Sequence, residues 1–147
     1  MINVKPQIAF LSSGVLGGKP DGQGIPVIVD LVERLLPHFE IIYYSFQPVD
    51  LKKIHPSIRV RQIINEPIPG RLKYGLLALR LLLDHFTNRH QLLFAVSVEP
   101  AGYFAVMLGQ ILRVPSCVQL IALEAVAIPD IQQGNLIHPK LRKRTNR

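Results

Sequence analysis

Five short apolar segments, separated by stretches long enough for a helix or a long connection, constrain this chain most. They read QIAFLS (residues 7–12), FEIIYYSF (39–46), IRVRQII (58–64), QLLFAVS (91–97) and PSCVQLIAL (115–123). Because parallel strands need crossover connections, this alternation favours a mainly parallel sheet. The segments are apolar almost throughout, as in sheets covered on both faces. The sequence therefore predicts a single Rossmann-like three-layer α/β domain.

Apolar residues at helical spacing lie between these segments. Pro26 suits a first helical turn, and the helix that it begins is predicted to stop at Pro37. A second helix is predicted to end near residues 87–90, and a third to span residues 100–113. One face of the second helix is marked by leucines: Leu72, Leu76, Leu79 and Leu83. The strand–helix pattern stops after residue 125.

The positive charge of the chain is concentrated at its end. The formal net charge is +7, and the last eight residues, KLRKRTNR, hold five basic side chains and no acid. Taking those five from +7 leaves +2 for the rest of the chain. Such a tail could contact nucleic acid or anionic lipid. It has no interleaved aromatic residues, which argues against a surface for single-stranded nucleic acid, and a solvated terminus is favoured. We expect a domain over residues 1–135 and a basic tail over residues 136–147.

Several classes of site and location are disfavoured by composition. A single cysteine, Cys117, excludes an intramolecular disulfide and a multi-cysteine metal site, and its apolar surroundings predict a buried, inert thiol. The five histidines are scattered, so neither a metal nor a bound cofactor is expected. No segment has the roughly 20 uninterrupted apolar residues of a membrane span. A cytoplasmic location, including the inner face of the membrane, is predicted.

Three loops gather the residues that a binding site would use. In open α/β sheets, ligands bind beyond the carboxyl ends of the strands. In the predicted sheet these ends lead into residues 12–25, 97–101 and 121–135. We therefore sought candidate site residues in these loops.

The first loop, LSSGVLGGKPDGQG, holds five glycines between a strand and a helix. It fails the dinucleotide template because Val27 stands where a third small residue is needed, and the P-loop template because Gln23 replaces the lysine. The pair Gly17–Gly18 remains, and it allows backbone N–H groups to approach an anion. A loop whose glycines only permit turns is the alternative.

The other two loops contribute carboxylates. Glu99 stands at a strand end ahead of a helix, where it could accept a sugar hydroxyl, act as a base or serve as an N-terminal helix charge. Glu124 and Asp130 are the acids of the third loop. Paired carboxylates can perform acid–base catalysis, but this spacing is not diagnostic. No catalytic residue is assigned from the residues alone.

Taken in order, these segments resemble the family 4 glycosyltransferases. The opening IAFLSSGVLGGKPDGQGIPVIVDLVERLLPHFEIIYYSF is similar to the strand, Gly-Gly loop, helix and strand of that family. EPAGYFAVMLGQILRVPSCVQLI resembles the later segment in which a PAG turn opens a helix. EAVAIPDIQQGNLIHPKLRKRT resembles the stretch G-G-E-L-V-A-L-P-D-I-x-Y-G. The resemblance covers almost the whole chain, and the order of the motifs is more specific than any one of them.

This resemblance implies a GT-B enzyme, in which two Rossmann-like domains face each other across a cleft. The chain would be the N-terminal, acceptor-side domain of a retaining enzyme that transfers a sugar from a nucleotide-sugar donor to a glycan, lipid or small-molecule acceptor. Gly17 and Gly18 match the loop against the donor diphosphate, and Glu124 and Asp130 match the acids of G-G-E and P-D-I. With Glu99, these two acids are the acceptor-side candidates.

Two departures from the family pattern bear on function. Ala122 and Leu123 replace the glycines before Glu124, and Gln133 replaces the usual aromatic residue. The residues expected to hold the nucleotide, including an E-x7-E motif, would belong to a donor-binding half that does not follow Arg147. We therefore expect this chain to be inactive alone. The alternatives are a non-catalytic acceptor-binding or assembly subunit of a split enzyme, and a decayed fragment.

Overall fold

The computed structural model describes residues 5–13, 16–17, 25–62 and 70–120, except for the side chains of residues 70, 71, 98 and 99. Five strands form one sheet: β1 (Gln7–Ser12), β2 (Glu40–Ser45), β3 (Arg59–Gln62), β4 (Leu92–Val96) and β5 (Ser116–Gln119). The sheet order is β3-β2-β1-β4-β5, and all four neighbouring pairs are parallel. The predicted parallel α/β fold is confirmed.

In the described part of the chain, three α-helices cover the two faces of the sheet: α1 (Pro26–Leu35), α2 (Gly70–Asn88) and α3 (Tyr103–Leu112). Helix α1 packs through Ile28 and Val32 against the face that carries Phe10 and Tyr43. Helices α2 and α3 pack on the other face, through a cluster that includes Leu81, Leu108 and Tyr44. The result is the three-layer arrangement that near-continuous apolar strands require.

β1 sets the register of its two neighbours, and it pairs with β2 along its whole length. Gln7 lies beside Glu40 and Ser12 beside Ser45, so β1 and β2 begin and end together. On the other side, Ile8 is level with Leu92 of β4. All six residues of β1 are buried, because the strand is central and both of its faces are covered.

The four leucines at helical spacing along α2, from Leu72 to Leu83, point away from the core. Leu77 and Leu81 are buried against the sheet, whereas Leu79 and Leu83 are more than half exposed. Leucines lie on two sides of this helix, so periodicity alone could not decide which side packs. The stripe over residues 72–83 is therefore an outer surface of the domain.

The prediction that Cys117 is buried is wrong, since its side chain is exposed. β5 is an edge strand, and alternate residues of a strand point to opposite faces. Val118 faces the cluster under α2 and α3. Cys117 faces the other side, where the described helices leave β5 uncovered.

We predict opposite outcomes for truncating the two kinds of leucine on α2. Leu81→Ala should lower the free energy of unfolding by about 2–5 kcal/mol, because it leaves a cavity under the helix. Leu79→Ala should change it by no more than about 0.5 kcal/mol, because its side chain is exposed. Urea denaturation followed by far-UV circular dichroism measures both. Equal losses would contradict the orientation of α2.

Candidate functional site

The connections that leave β1 and β4 diverge at the carboxyl edge of the sheet. From β1 the chain passes through α1, on one face, to β2. From β4 it passes through α3, on the opposite face, to β5 on the other side. Such a topological switch point opens a crevice between the two strand ends, and it is where open α/β sheets bind ligands.

The loop after β1 bends towards the β2–β3 connection. Gly17 has φ of 70°, in the left-handed region. A Cβ atom at this position would lie 2.8 Å from the carbonyl oxygen of Asp50 and 2.9 Å from Ile54 Cγ1. Leu16, directly before it, is buried in the cluster under α1. Glycine is therefore required here by the close approach of two backbone segments, in addition to any role towards an anion.

The turn after β4 bends the opposite way, towards α3 and β5. Ser97 has φ of 81°, and its carbonyl oxygen accepts a hydrogen bond from the Gly102 N–H at 3.0 Å. This bond closes a single π-helical turn, Val98–Gly102, which leads directly into α3. A Cβ atom on Gly102 would lie 2.8 Å from Val118 Cγ1 and 2.9 Å from the Ser97 oxygen. The glycine of the PAG motif thus lets the turn lie tightly against β5.

Polar side chains near the carboxyl ends of β1, β2 and β3 make hydrogen bonds to a neighbouring strand or connection. Ser12 Oγ lies 2.7 Å from the Tyr43 hydroxyl, and Ser45 Oγ donates to the Gln47 carbonyl at 2.6 Å. Gln62 Oε1 accepts from the Val49 N–H at 2.9 Å.

The structure locates two of the predicted site residues. Gly17 follows β1, and the backbone of Glu99 lies in the π-helical turn after β4, so both belong to loops that flank the switch point. Gly18, Glu124 and Asp130 lie outside the described residues, as does the boundary at residue 135. Within the described part of the chain, no three histidine, cysteine or acidic side chains come together as metal ligands.

A buried polar network begins at the opposite, amino-terminal edge of the sheet and reaches Tyr44 and Arg61 in the carboxyl halves of β2 and β3. His90, just before β4, is 2% exposed. Its Nδ1 lies 2.9 Å from Gln7 Oε1, and its Nε2 lies 3.0 Å from the Tyr44 hydroxyl. That hydroxyl donates to Asp84 Oδ2 at 3.0 Å, and the Arg61 Nε–H donates to the same oxygen at 3.0 Å. One chain of contacts thereby ties β1, β2, β3 and α2 to the start of β4.

Ion pairs extend this network to the surface. Arg80 Nε lies 3.2 Å from Asp84 Oδ1. At the other end, Gln7 Nε2 donates to Glu40 Oε2 at 3.2 Å, and Arg59 forms a 2.9 Å ion pair with the same carboxylate. Buried charge is tolerated where it is paired and hydrogen-bonded in this way.

Burial governs the titration of the network. It lowers the pKa of His90 to about 4, helped by the neighbouring His85 ring and Arg59, while Asp84 acts in the opposite direction. Burial, with the charge and hydrogen bond of Asp84, raises the pKa of Tyr44. Burial also raises the pKa of Asp84, but its hydrogen bonds and ion pairs with Arg61, Tyr44 and Arg80 outweigh this and hold it below its usual value.

Perturbed titration is a common mark of functional sites, but structural ion-pair networks produce it too. The polar groups of this network are turned towards one another, and none of them belongs to the loops after β1 and β4 that flank the switch point. We therefore assign it to folding stability. Sequence reasoning missed it because its partners lie far apart in the chain: Gln7 and His90 are 83 residues apart.

Comparison with known proteins identifies no family for this chain. No protein-family model matches the sequence, and no curated protein matches it significantly. Among solved structures, the chain is similar to two crystal structures of the C-terminal domain of a hydrogenase from Pyrococcus furiosus. One is 12% identical over 81% of this chain and 96% of that chain, with a TM-score of 0.48. The other is 13% identical over 82% and 95%, with a TM-score of 0.49.

We predict that Gly17→Ala lowers the free energy of unfolding by about 1–3 kcal/mol, because it places a Cβ atom against Asp50 and strains a left-handed backbone. Gly75→Ala is the matched control. Gly75 is helical and a Cβ atom there meets no atom within 4 Å, so the substitution should stabilise α2 by up to about 1 kcal/mol. Thermal or urea unfolding of both variants measures the contrast. Unchanged stability in Gly17→Ala would contradict the packing of this loop.

We also predict that stability falls as the pH is lowered from about 6.5 towards 4. His90 binds a proton in the unfolded chain near pH 6.5 but in the folded chain only near pH 4, so acid favours unfolding. The measurement is the free energy of unfolding as a function of pH, in the wild type and in His90→Gln. Because both proteins contain His85, the difference between the two profiles reports the contribution of His90. The exposed Val27→Ala, which changes no titratable group, is the control and should leave the profile unchanged. A wild-type rise in stability towards acid would show instead that the network holds the imidazolium.

Proposed function

We propose that this chain is the acceptor-side domain of a retaining, GT-B-type glycosyltransferase similar to family 4. In this role its switch-point crevice faces the diphosphate of a nucleotide-sugar donor and the acceptor. The donor nucleotide is held mainly by a second half, which carries the E-x7-E motif. The whole enzyme works in the cytoplasm and transfers the sugar to a glycan, lipid or small-molecule acceptor.

The observation that carries the proposal is the position of the two motif loops. The Gly-Gly loop follows β1 and the PAG turn follows β4, and these two strands are the neighbours between which the connections diverge. The same two segments carry the family resemblance in the sequence. The crevice between their loops is where an open α/β sheet binds a ligand.

The chemistry assigns a limited role to this half. A leaving diphosphate gathers negative charge in the transition state, and fixed N–H donors aimed at it lower the barrier. Backbone N–H groups around Gly17 would supply part of that stabilisation. Glu99 would accept a hydrogen bond from an acceptor hydroxyl. Since the donor is held mainly by the other half, this chain alone should bind it only weakly and transfer no sugar.

We predict that amide resonances of the isotope-labelled chain shift in a saturable way when uridine- or guanosine-diphosphate sugars are added at millimolar concentration. The shifts should be confined to residues near Gly17 and to residues 97–103, and Gln7 and Gln91 at the opposite edge should not move. Inorganic pyrophosphate, added alone, tests whether the diphosphate suffices. Absence of shifts with every nucleotide sugar, or shifts confined to the amino edge, would reject the proposed donor contact.

The acceptor role is tested with one matched pair of variants. The ligand is an acceptor sugar that shifts amide resonances of the wild-type chain. Glu99→Gln should weaken its binding about tenfold, the loss expected for a hydrogen bond to a charged group. Glu33→Gln removes an exposed carboxylate from α1 and should have no effect. A sugar-transfer assay on the isolated chain completes the test, because turnover without a second half would contradict the division of roles.

A further inference from the structure

The outer side of the helical layer exposes a set of large apolar side chains. On α2 they are between 39% and 78% exposed: Leu72, Leu76, Leu79, Leu83 and Phe86. Helix α3 adds Tyr103, Val106 and Ile111, which are 42% to 66% exposed. We call these eight side chains the outer apolar surface. Extended apolar surface of this kind marks a site of interaction with a partner or a membrane.

The fold itself does not need these side chains. The opposite side of α2 already fills the core through Leu77 and Leu81, and α3 does so through Ala105 and Leu108. The two helices lie on the same face of the sheet, and Tyr74 of α2 contacts Phe104 of α3, with ring centroids 6.0 Å apart. The outer apolar surface therefore extends over two neighbouring helices and is wider than the single seam of a helix pair.

The charges around this surface have one sign. Lys73 and Arg80 lie on α2, Arg89 directly follows α2, and Arg113 directly follows α3. The carboxylate of Asp84 is largely buried and is paired with Arg61 and Arg80. Residues 70–120 contain two acids, Asp84 and Glu99, and the side chain of Glu99 is not described. The partner of this surface should therefore be apolar and negatively charged.

This combination decides between the possible partners. A second copy of the chain would place arginine and lysine against arginine and lysine. A single acidic helix would match the charge but would cover one helical seam. A bilayer that contains anionic lipids offers an apolar plane edged by negative headgroups, and basic residues beside an apolar helical face are typical of interfacial binding. None of the helices in the described part of the chain is long and apolar enough to cross a membrane.

We propose that the outer apolar surface docks this domain on the surface of an anionic lipid bilayer. Leu79, Leu83 and Phe86 enter the boundary between headgroups and acyl chains. Lys73 and Arg89 lie at the level of the headgroups. The proposal depends on this surface alone and holds whether or not the chain is a glycosyltransferase domain.

The chain contains no tryptophan, so Phe86→Trp creates a single fluorescent reporter on the surface. We expect its emission to shift to the blue when vesicles of phosphatidylcholine and phosphatidylglycerol in equal parts are added. Vesicles of phosphatidylcholine alone should produce a much smaller shift. High salt should weaken binding to the mixed vesicles, because it screens the headgroup charge. An unshifted emission with the mixed vesicles would overturn the proposal.

Matched variants distinguish docking through this surface from non-specific adsorption of the protein to lipid. The double substitution Leu79→Ser and Leu83→Ser should lower co-sedimentation with the mixed vesicles at least tenfold. Val27→Ser removes an exposed apolar side chain from α1, on the other face of the domain, and should leave binding unchanged. All of these positions are exposed, so circular dichroism should show that each variant keeps the fold. An equal loss in Val27→Ser would overturn the proposal.

Charge variants and the association state complete the test. Replacing both Lys73 and Arg89 by glutamine should weaken binding about fivefold for each residue, whereas replacing Lys52 and Lys53, outside the helical layer, should not. Sedimentation velocity without lipid tests whether a second copy of the chain covers this surface instead. A dimer that the two leucine substitutions abolish, together with no vesicle binding, would identify a second copy as the partner and overturn the proposal.

Discussion

The complete burial of β1 is the constraint on which the rest of the domain depends. β1 pairs with β2 on one side and β4 on the other, and all six of its residues are buried. Phe10 stacks on Phe94 and meets the edge of Tyr43, with ring centroids 5.2 Å and 5.9 Å away. A strand without an exposed face must satisfy its polar ends internally, since an unpaired buried group costs about 1–3 kcal/mol. Gln7 therefore bonds to Glu40 and His90, and Ser12 lies against Tyr43.

The two ends of β1 have different consequences. At the amino end, one network of side chains joins four strands and a helix, so this edge is fixed by many mutually dependent contacts. At the carboxyl end, two tight backbone approaches, at Gly17 and Gly102, direct the following loops away from each other. The side-chain network holds the sheet together, and the two glycine contacts set the directions of the loops at the switch point. The perturbed pKa values accordingly belong to His90, Tyr44 and Asp84 of the network, whereas the candidate site belongs to the loops after β1 and β4.

Local patterns in the sequence predicted the elements well, because strands buried on both faces are apolar throughout. QIAFLS matches β1 residue for residue, and Pro26 begins α1. What they could not predict depends on distant parts of the chain. α2 has leucines on two sides, and only the position of the sheet decides which side is buried. Cys117 is exposed because of the place of β5 in the sheet, and the His90 network joins residues from four strand regions. The predicted carboxylates Glu124 and Asp130 lie outside the described residues, so their roles stay predictions.

The exposure of Cys117 has a practical consequence for studying this protein. It is the single cysteine among 147 residues, and it lies on the open side of an edge strand that neighbours β4. The natural chain can therefore take one thiol-specific spin label or fluorophore at a defined place without any substitution. The same thiol can join two molecules through a disulfide under oxidising conditions. Association measurements on this protein consequently require a reductant, or the thiol blocked beforehand, for any dimer to be interpreted as non-covalent.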